Sequence, residues 1–170
     1  MKIAKVLFIC ILSYNFSTLY ASDTFQIKSK WANKCLDVKF EDKGKNGNRV
    51  QLWDCHSGVN QQWLFIKFAN GYSAIKTRWT YRVLDVAREG QGLNGNKIHL
   101  WRGVPESNNQ EWKLIKLDNG AYIIKSRWKH KCLDAMREDQ GSNGNRIIFW
   151  ECHYGNNQQW ILTAKGSDSF

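Results

Sequence analysis

Long apolar runs are nearly absent from this chain. The clearest, residues 6–12, is seven residues long, whereas a spanning helix needs about 20, so no membrane-crossing segment is expected. Sustained helical periodicity is missing as well, which leaves an all-β protein. No Cys-x-x-Cys pair, phosphate-binding loop or nucleophile–base grouping occurs, so neither a metal, a cofactor nor a catalytic centre is expected. Acidic residues are outnumbered, with 15 Asp and Glu against 25 Lys and Arg, a formal net charge of +10.

The start is more informative. Met1-Lys2-Ile3-Ala4-Lys5 is basic, the short apolar run follows, and a small residue, Ala21, precedes Ser22. That order reads as a secretory signal peptide over 1–21, and hence as a secreted, extracellular protein. The remaining 22–170 suits one domain with a full core. Without Lys2 and Lys5, 23 basic residues face 15 acidic ones, a net charge of +8. Such a balance favours anionic partners, among them acidic glycans and headgroups on cell surfaces.

The chain repeats itself at a period of 48 to 49 residues. Leu36-Asp37, Leu84-Asp85 and Leu133-Asp134 correspond, and Asn-Gly-Asn stands at 46–48, 94–96 and 143–145. Trp53, Trp101 and Trp150 correspond, and Gln-x-Trp ends at Trp63, Trp112 and Trp160. Three units, about 25–69, 70–118 and 119–166, are therefore expected to stack, each needing the others to bury its apolar face. Asn-Gly favours positive φ and tight reversal, so each unit reads as short strands joined by turns.

Cys10 leaves with the leader, and Cys35, Cys55, Cys132 and Cys152 remain. An even count in an exported chain points to disulfides. Setting Cys35 opposite Cys55 in an antiparallel pair sets Asp37 opposite Trp53. The same register sets Asp134 opposite Trp150 and Asp85 opposite Trp101. Val83 and Gly103 fill both cysteine places in the middle unit, as partners lost together would leave them. Cys35–Cys55 and Cys132–Cys152 are the expected bridges. Leu36, Val38, Val50 and Leu52 hold the core face, so Asp37 and Trp53 should share the outer one.

Three copies of this grammar over nearly the whole chain from 25 to 165 resemble the ricin B-type lectin domain. The resemblance implies a β-trefoil, a six-stranded barrel closed by three hairpins, with Trp63, Trp112 and Trp160 buried. It also implies one shallow sugar pocket per unit. Carried over residue by residue, the first comprises Asp37, Gln51, Trp53, Asn60 and Gln61. The second comprises Asp85, His99, Trp101, Asn109 and Gln110; the third comprises Asp134, Trp150, Asn157 and Gln158, with Ile148 in place of the polar residue. The chemistry suits the types: an indole stacks on the C–H face of a pyranose, a carboxylate accepts hydroxyl protons, and an amide both donates and accepts. Gln61, Gln110 and Gln158 could instead brace the aspartates. The third pocket lacks one polar group and the middle one lacks its bridge and gains a loop residue, so the first is expected to be the best formed.

The expected function is a lectin, not an enzyme, binding glycans on glycoproteins or glycolipids, with galactose and GalNAc favoured. Two other readings keep the fold and change the partner. One is a receptor-targeting subunit of a toxin or multicomponent enzyme. The other is a heparin-binding trefoil driven by basic residues such as Lys28/Lys30, Lys76/Arg78 and Lys125/Arg127. Export and acidic pockets argue against nucleic acid. Cys55-His56 and Cys152-His153 invite a zinc reading, but disulfides account for the cysteines.

Overall fold

Twelve short strands alternate with turns in residues 24–165, the part of the chain described by the computed structural model. The expected leader, 1–21, lies outside the described residues. The first unit holds β1 (Phe25–Ser29), β2 (Cys35–Val38), β3 (Asn48–Trp53) and β4 (Trp63–Lys67). The second holds β5 (Ser73–Thr77), β6 (Val83–Val86), β7 (Asn96–Trp101) and β8 (Trp112–Lys116). The third holds β9 (Tyr122–Ser126), β10 (Cys132–Ala135), β11 (Asn145–Trp150) and β12 (Gln159–Ala164).

Six strands close a barrel. β1 pairs with β12 and β4, β5 with β4 and β8, and β9 with β8 and β12, so the ring returns to its start. The hairpins β2–β3, β6–β7 and β10–β11 cap one end, and β3, β7 and β11 pair with one another across the pseudo-threefold axis. This is the β-trefoil, and a closed ring leaves its strands few free edges.

The core takes the same contribution from each unit. Trp63, Trp112 and Trp160 are fully buried, and each indole N–H donates to the carbonyl of Leu36, Leu84 or Leu133 (3.0, 2.9 and 3.2 Å). A buried indole needs such a partner. Leu52, Leu100 and Phe149 pack into the same cluster. The Asn-Gly turns then join the units. Gly47, Gly95 and Gly144 have φ of 83°, 83° and 87°, and their N–H groups donate to Leu100, Phe149 and Leu52 of the neighbouring unit. The Oδ1 of the preceding Asn46, Asn94 and Asn143 accepts the N–H of Arg102, Glu151 and Asp54. Each unit thus hands hydrogen bonds to the next, and the third hands them back to the first.

The repeated basic pairs also serve these joints. Lys30 donates to Gln159, Arg78 to Gln62 and Arg127 to Glu111, at 3.1, 2.7 and 2.8 Å. The second basic residue of each pair therefore binds the middle residue of a Gln-x-Trp.

Two disulfides form between the expected cysteines, with Cα–Cα distances of 5.0 and 5.1 Å. The register, however, differs from the expectation by two residues. Cys35 faces Trp53 and Asp37 faces Gln51; Asp85 faces His99 and Asp134 faces Ile148. The cause is that β3 ends at Trp53 and Cys55 lies beyond the ladder. There the chain is bent by Asn143 holding the Asp54 N–H and Gln61 holding the Asp54 carbonyl, which returns Cys55 to Cys35. A shift of two keeps every side chain on its face. Asp and Trp still share a side, but as diagonal neighbours, about 7–8 Å apart.

Candidate functional site

Each unit builds its site from three pieces: the Asp of the first hairpin strand, the end of the second, and the loop leading into Gln-x-Trp. The loop closes as a 3₁₀ turn, Val59–Gln61 in the first unit, Asn108–Gln110 in the second and Asn156–Gln158 in the third. That turn presents its Asn and Gln to the carboxylate. The outcome corrects the expectation of an open acid: Asp37, Asp85 and Asp134 face away from the core, yet are only 3, 4 and 3 % exposed because the loop covers them. The indoles are open, with Trp53, Trp101 and Trp150 at 40, 37 and 38 %.

Asp37 shows how the acid is held. Its Oδ1 accepts from Gln51 Nε2 at 3.1 Å, and its Oδ2 accepts from Asn60 Nδ2 and Gln61 Nε2, both at 2.9 Å. Three donors leave about one of the four acceptor positions of a carboxylate for a ligand. Asp85 receives Asn109 (3.0 Å) and Gln110 (2.7 Å) and has His99 Nε2 2.9 Å away. Asp134 receives Asn157 (2.9 Å) and Gln158 (2.8 Å), while the opposite residue, Ile148, has no donor to give. Burial is the main influence on Asp37 and Asp134 and pushes both carboxyls above the ordinary value of 3.8; the amide donors only partly oppose it.

The glutamines are braces. Gln61 also donates to Asp54 O and accepts the His56 N–H, and Gln110 and Gln158 repeat this with Arg102 and Glu151 as acceptors and Val104 and His153 as donors. With both ends engaged and the side chains buried, these three hold the aspartate and fix the loop. The asparagines differ between units. Both protons of Asn60 are used, on Asp37 and Val38 O, but among the described residues its Oδ1 meets no donor. Asn109 Oδ1 is taken by Arg88 and Ser107, and Asn157 Oδ1 by Arg137. The residue that corresponds to both arginines in the first unit is Phe40, which stacks on Trp79 instead, at 4.8 Å.

Two sites open as clefts. The first, about 220 Å³, brings together Asp37, Gln51, Trp53 and Asn60, with Phe40 and His56 at its walls. The second, about 390 Å³, gathers Asp85, His99, Trp101, Asn109 and Gln110. The extra loop residue of the middle unit therefore accompanies a larger cleft. His99 stacks beside Trp101, ring centres 5.2 Å apart, which gives that cleft a two-ring wall.

His56 and His153 belong to the sites, although their sequence context beside cysteine suggests only a metal. Nε2 of each stands 3.6 and 3.3 Å from Asp37 and Asp134, while Nδ1 accepts the N–H of Gly58 or Gly155 at 3.0 Å. An accepting Nδ1 places the proton of a neutral ring on Nε2, facing the carboxylate. A side chain at Gly58 would meet His56 at 2.7 Å, so glycine gives the ring its room. The signal was available: Cys-His follows the exposed Trp at one offset in the first and third units, and fails in the middle one.

Comparison with known proteins fits this fold. The family described as ricin-type β-trefoil lectin domain-like matches residues 13–101 and 108–170. Among solved structures, the designed threefold-symmetric protein ThreeFoil superposes with a TM-score of 0.76 at 27% identity, over 82% of this chain and 97% of that one. The C-half of an earthworm R-type lectin, in complex with GalNAc, superposes at 0.66 and 23% identity, over 84% of this chain and 99% of that one. Serine protease 1 of Rarobacter faecitabidus is 56% identical over 32 residues, 19% of this chain; the chain spans only 6% of that protein.

Proposed function

The chain belongs to the ricin-type β-trefoil lectin family, and we propose that it acts as a secreted carbohydrate-binding protein with up to three shallow sugar sites. The observation that carries this reading is the thrice-repeated acid, buried and held by amides, below an exposed indole. A sugar lays its C–H face on the indole and gives a hydroxyl proton to the remaining acceptor position of the carboxylate. Galactose and GalNAc are the favoured ligands, and the GalNAc-bound earthworm relative supports that choice. Site residues are Asp37, Gln51, Trp53 and Asn60; Asp85, His99, Trp101 and Asn109; and Asp134, Trp150 and Asn157. Gln61, Gln110 and Gln158 support them. The first site leads because Asn60 Oδ1 is open to a second hydroxyl.

A single shallow site binds a monosaccharide at around millimolar, about −4 kcal/mol. Several sites on one glycan-bearing surface raise this by about 10²–10⁴-fold if their spacing matches. The test is a glycan array read with the native protein and with Asp37→Asn. Neutral galactose-type sugars should bind the native protein and bind the variant more weakly. Native protein that binds no neutral sugar sinks the reading.

A second reading has support from the relative in which the matched segment is a small part of a protease. Here the lectin directs a separate catalytic chain to a glycosylated surface. Recovery of one enzyme or toxin chain on the immobilised protein, at fixed stoichiometry, would favour it over a lectin acting alone.

A further inference from the structure

Several cavities lie outside the sugar sites, and one of them stands on the molecular axis. Where β3, β7 and β11 meet on the pseudo-threefold axis, a space of about 350 Å³ is lined by Arg49, Lys97 and Arg146, one from each unit, above Val50, Ile98 and Ile147. The three cations are equivalent, each following the last Asn of its Asn-Gly-Asn. No carboxylate lines the cavity. Arg146 is paired with Asp139 at 2.8 Å. Asp139 is also held low by Arg49, after Arg146, and Asp42 binds the Arg49 backbone N–H. Arg49 otherwise reaches the carbonyl of Gly144, and Lys97 that of Gly47 at 3.5 Å. Among the described residues, neither of these two makes an ion pair.

Arg49 and Lys97, both without an acid partner among the described residues, and the Asp139-paired Arg146 leave a net positive field around one apolar-floored space, and the low-dielectric floor strengthens its pull on any anion that enters. The volume is at the low end of ligand-sized pockets, about 300–1,000 Å³, so a ring fits as well as a lone ion. Arg146 keeps its Nε and Nη2 donors on Asp139, so Arg49 and Lys97 supply the free cationic donors for an oxyanion. The sugar clefts cannot serve such a ligand as well, since each keeps a carboxylate in its wall. Nor can the basic pairs on the strands compete fully, because Lys30, Arg78 and Arg127 are engaged at the unit joints.

We propose that the axial cavity binds a polyol ring carrying sulfate or phosphate esters, separately from the three sugar sites. Two sources share this chemistry: sulfated glycosaminoglycans and phosphorylated inositol headgroups. The probes are a sulfated chondroitin disaccharide and inositol trisphosphate, titrated into the native protein at fixed ionic strength. Amide shifts should centre on Gly95, Lys97, Ile147 and Ile148, and either preference between the probes supports the site while identifying its source. The variant combining Arg49→Gln, Lys97→Gln and Arg146→Gln should bind both probes at least about tenfold more weakly, yet keep its neutral-sugar affinity. Asp37→Asn should do the reverse. Lys97→Gln alone, where no acid is paired and folding is least at risk, should weaken the probes in the same direction. Undiminished probe binding in the charge-neutral variants overturns the proposal, as do shifts centred on Lys28, Lys76 and Lys125, or no native binding at millimolar probe.

Discussion

At the residue scale, the decisive property is depth. Sequence parity placed Asp37 and Trp53 on one face, and both lie there. It could not say that the loop carrying Asn60 and Gln61 folds over the acid and leaves the indole open, because that depends on a contact made some 23 residues away. Depth has a titration consequence. The unfolded carboxyl ionises at the ordinary value, and the folded Asp37 and Asp134 ionise above it. Ionisation of these two therefore opposes folding above the folded pKa, and that cost fades as pH falls from the folded pKa to the unfolded one. They do not drive acid unfolding. They do lose an acceptor on protonation, so sugar affinity at the first and third sites should fall in a window above the ordinary carboxylate pKa. Monosaccharide titrations at a series of pH values check this. An affinity that stays level down to about pH 4 would contradict it.

At the scale of strands and turns, the repeated motifs revealed three units of short strands and the disulfide partners, but not the register. Treating both cysteines as ladder residues moved each pair by two; Cys55 and Cys152 sit past the strand ends, where a turn decides their position. The bridge still closes a loop with a sequence separation of 20. Replacing Cys35 and Cys55 by alanine should lower stability by about 3 kcal/mol, read as a shift in denaturant midpoint, and should weaken sugar binding at the first site. The middle unit, bridged by nothing, should respond to reducing agent only through its neighbours. Turn chemistry gives a second outcome. At Gly47 a methyl group has room, its nearest neighbour being the Trp101 ring at 4.0 Å, but φ is 83°. Gly47→Ala should therefore cost about 1–2 kcal/mol through the backbone alone, measurable by thermal or chemical unfolding. A neutral result would mean that the turn can relax.

At the scale of the whole molecule, stability is shared. Each unit provides two of the six barrel strands and one of the three capping hairpins, so no unit can seal its own tryptophan. A peptide covering 25–69 alone should be unfolded by circular dichroism and should bind no sugar, even with its disulfide formed. Independent folding of that peptide would contradict the shared core. The threefold plan was legible because Asp, Asn-Gly-Asn and Gln-x-Trp recur in fixed order. The axial cavity was not, because Arg49, Lys97 and Arg146 are some 48 residues apart and meet only when the ring closes. The last strand ends beside the first: Phe25 faces Ala164, and Lys165 N–H reaches Thr24 O at 2.8 Å. A circular permutant, joined there by a short linker and opened at the exposed Asn70-Gly71 turn, would retain these cross-unit bonds and present the same three sites from a different starting residue.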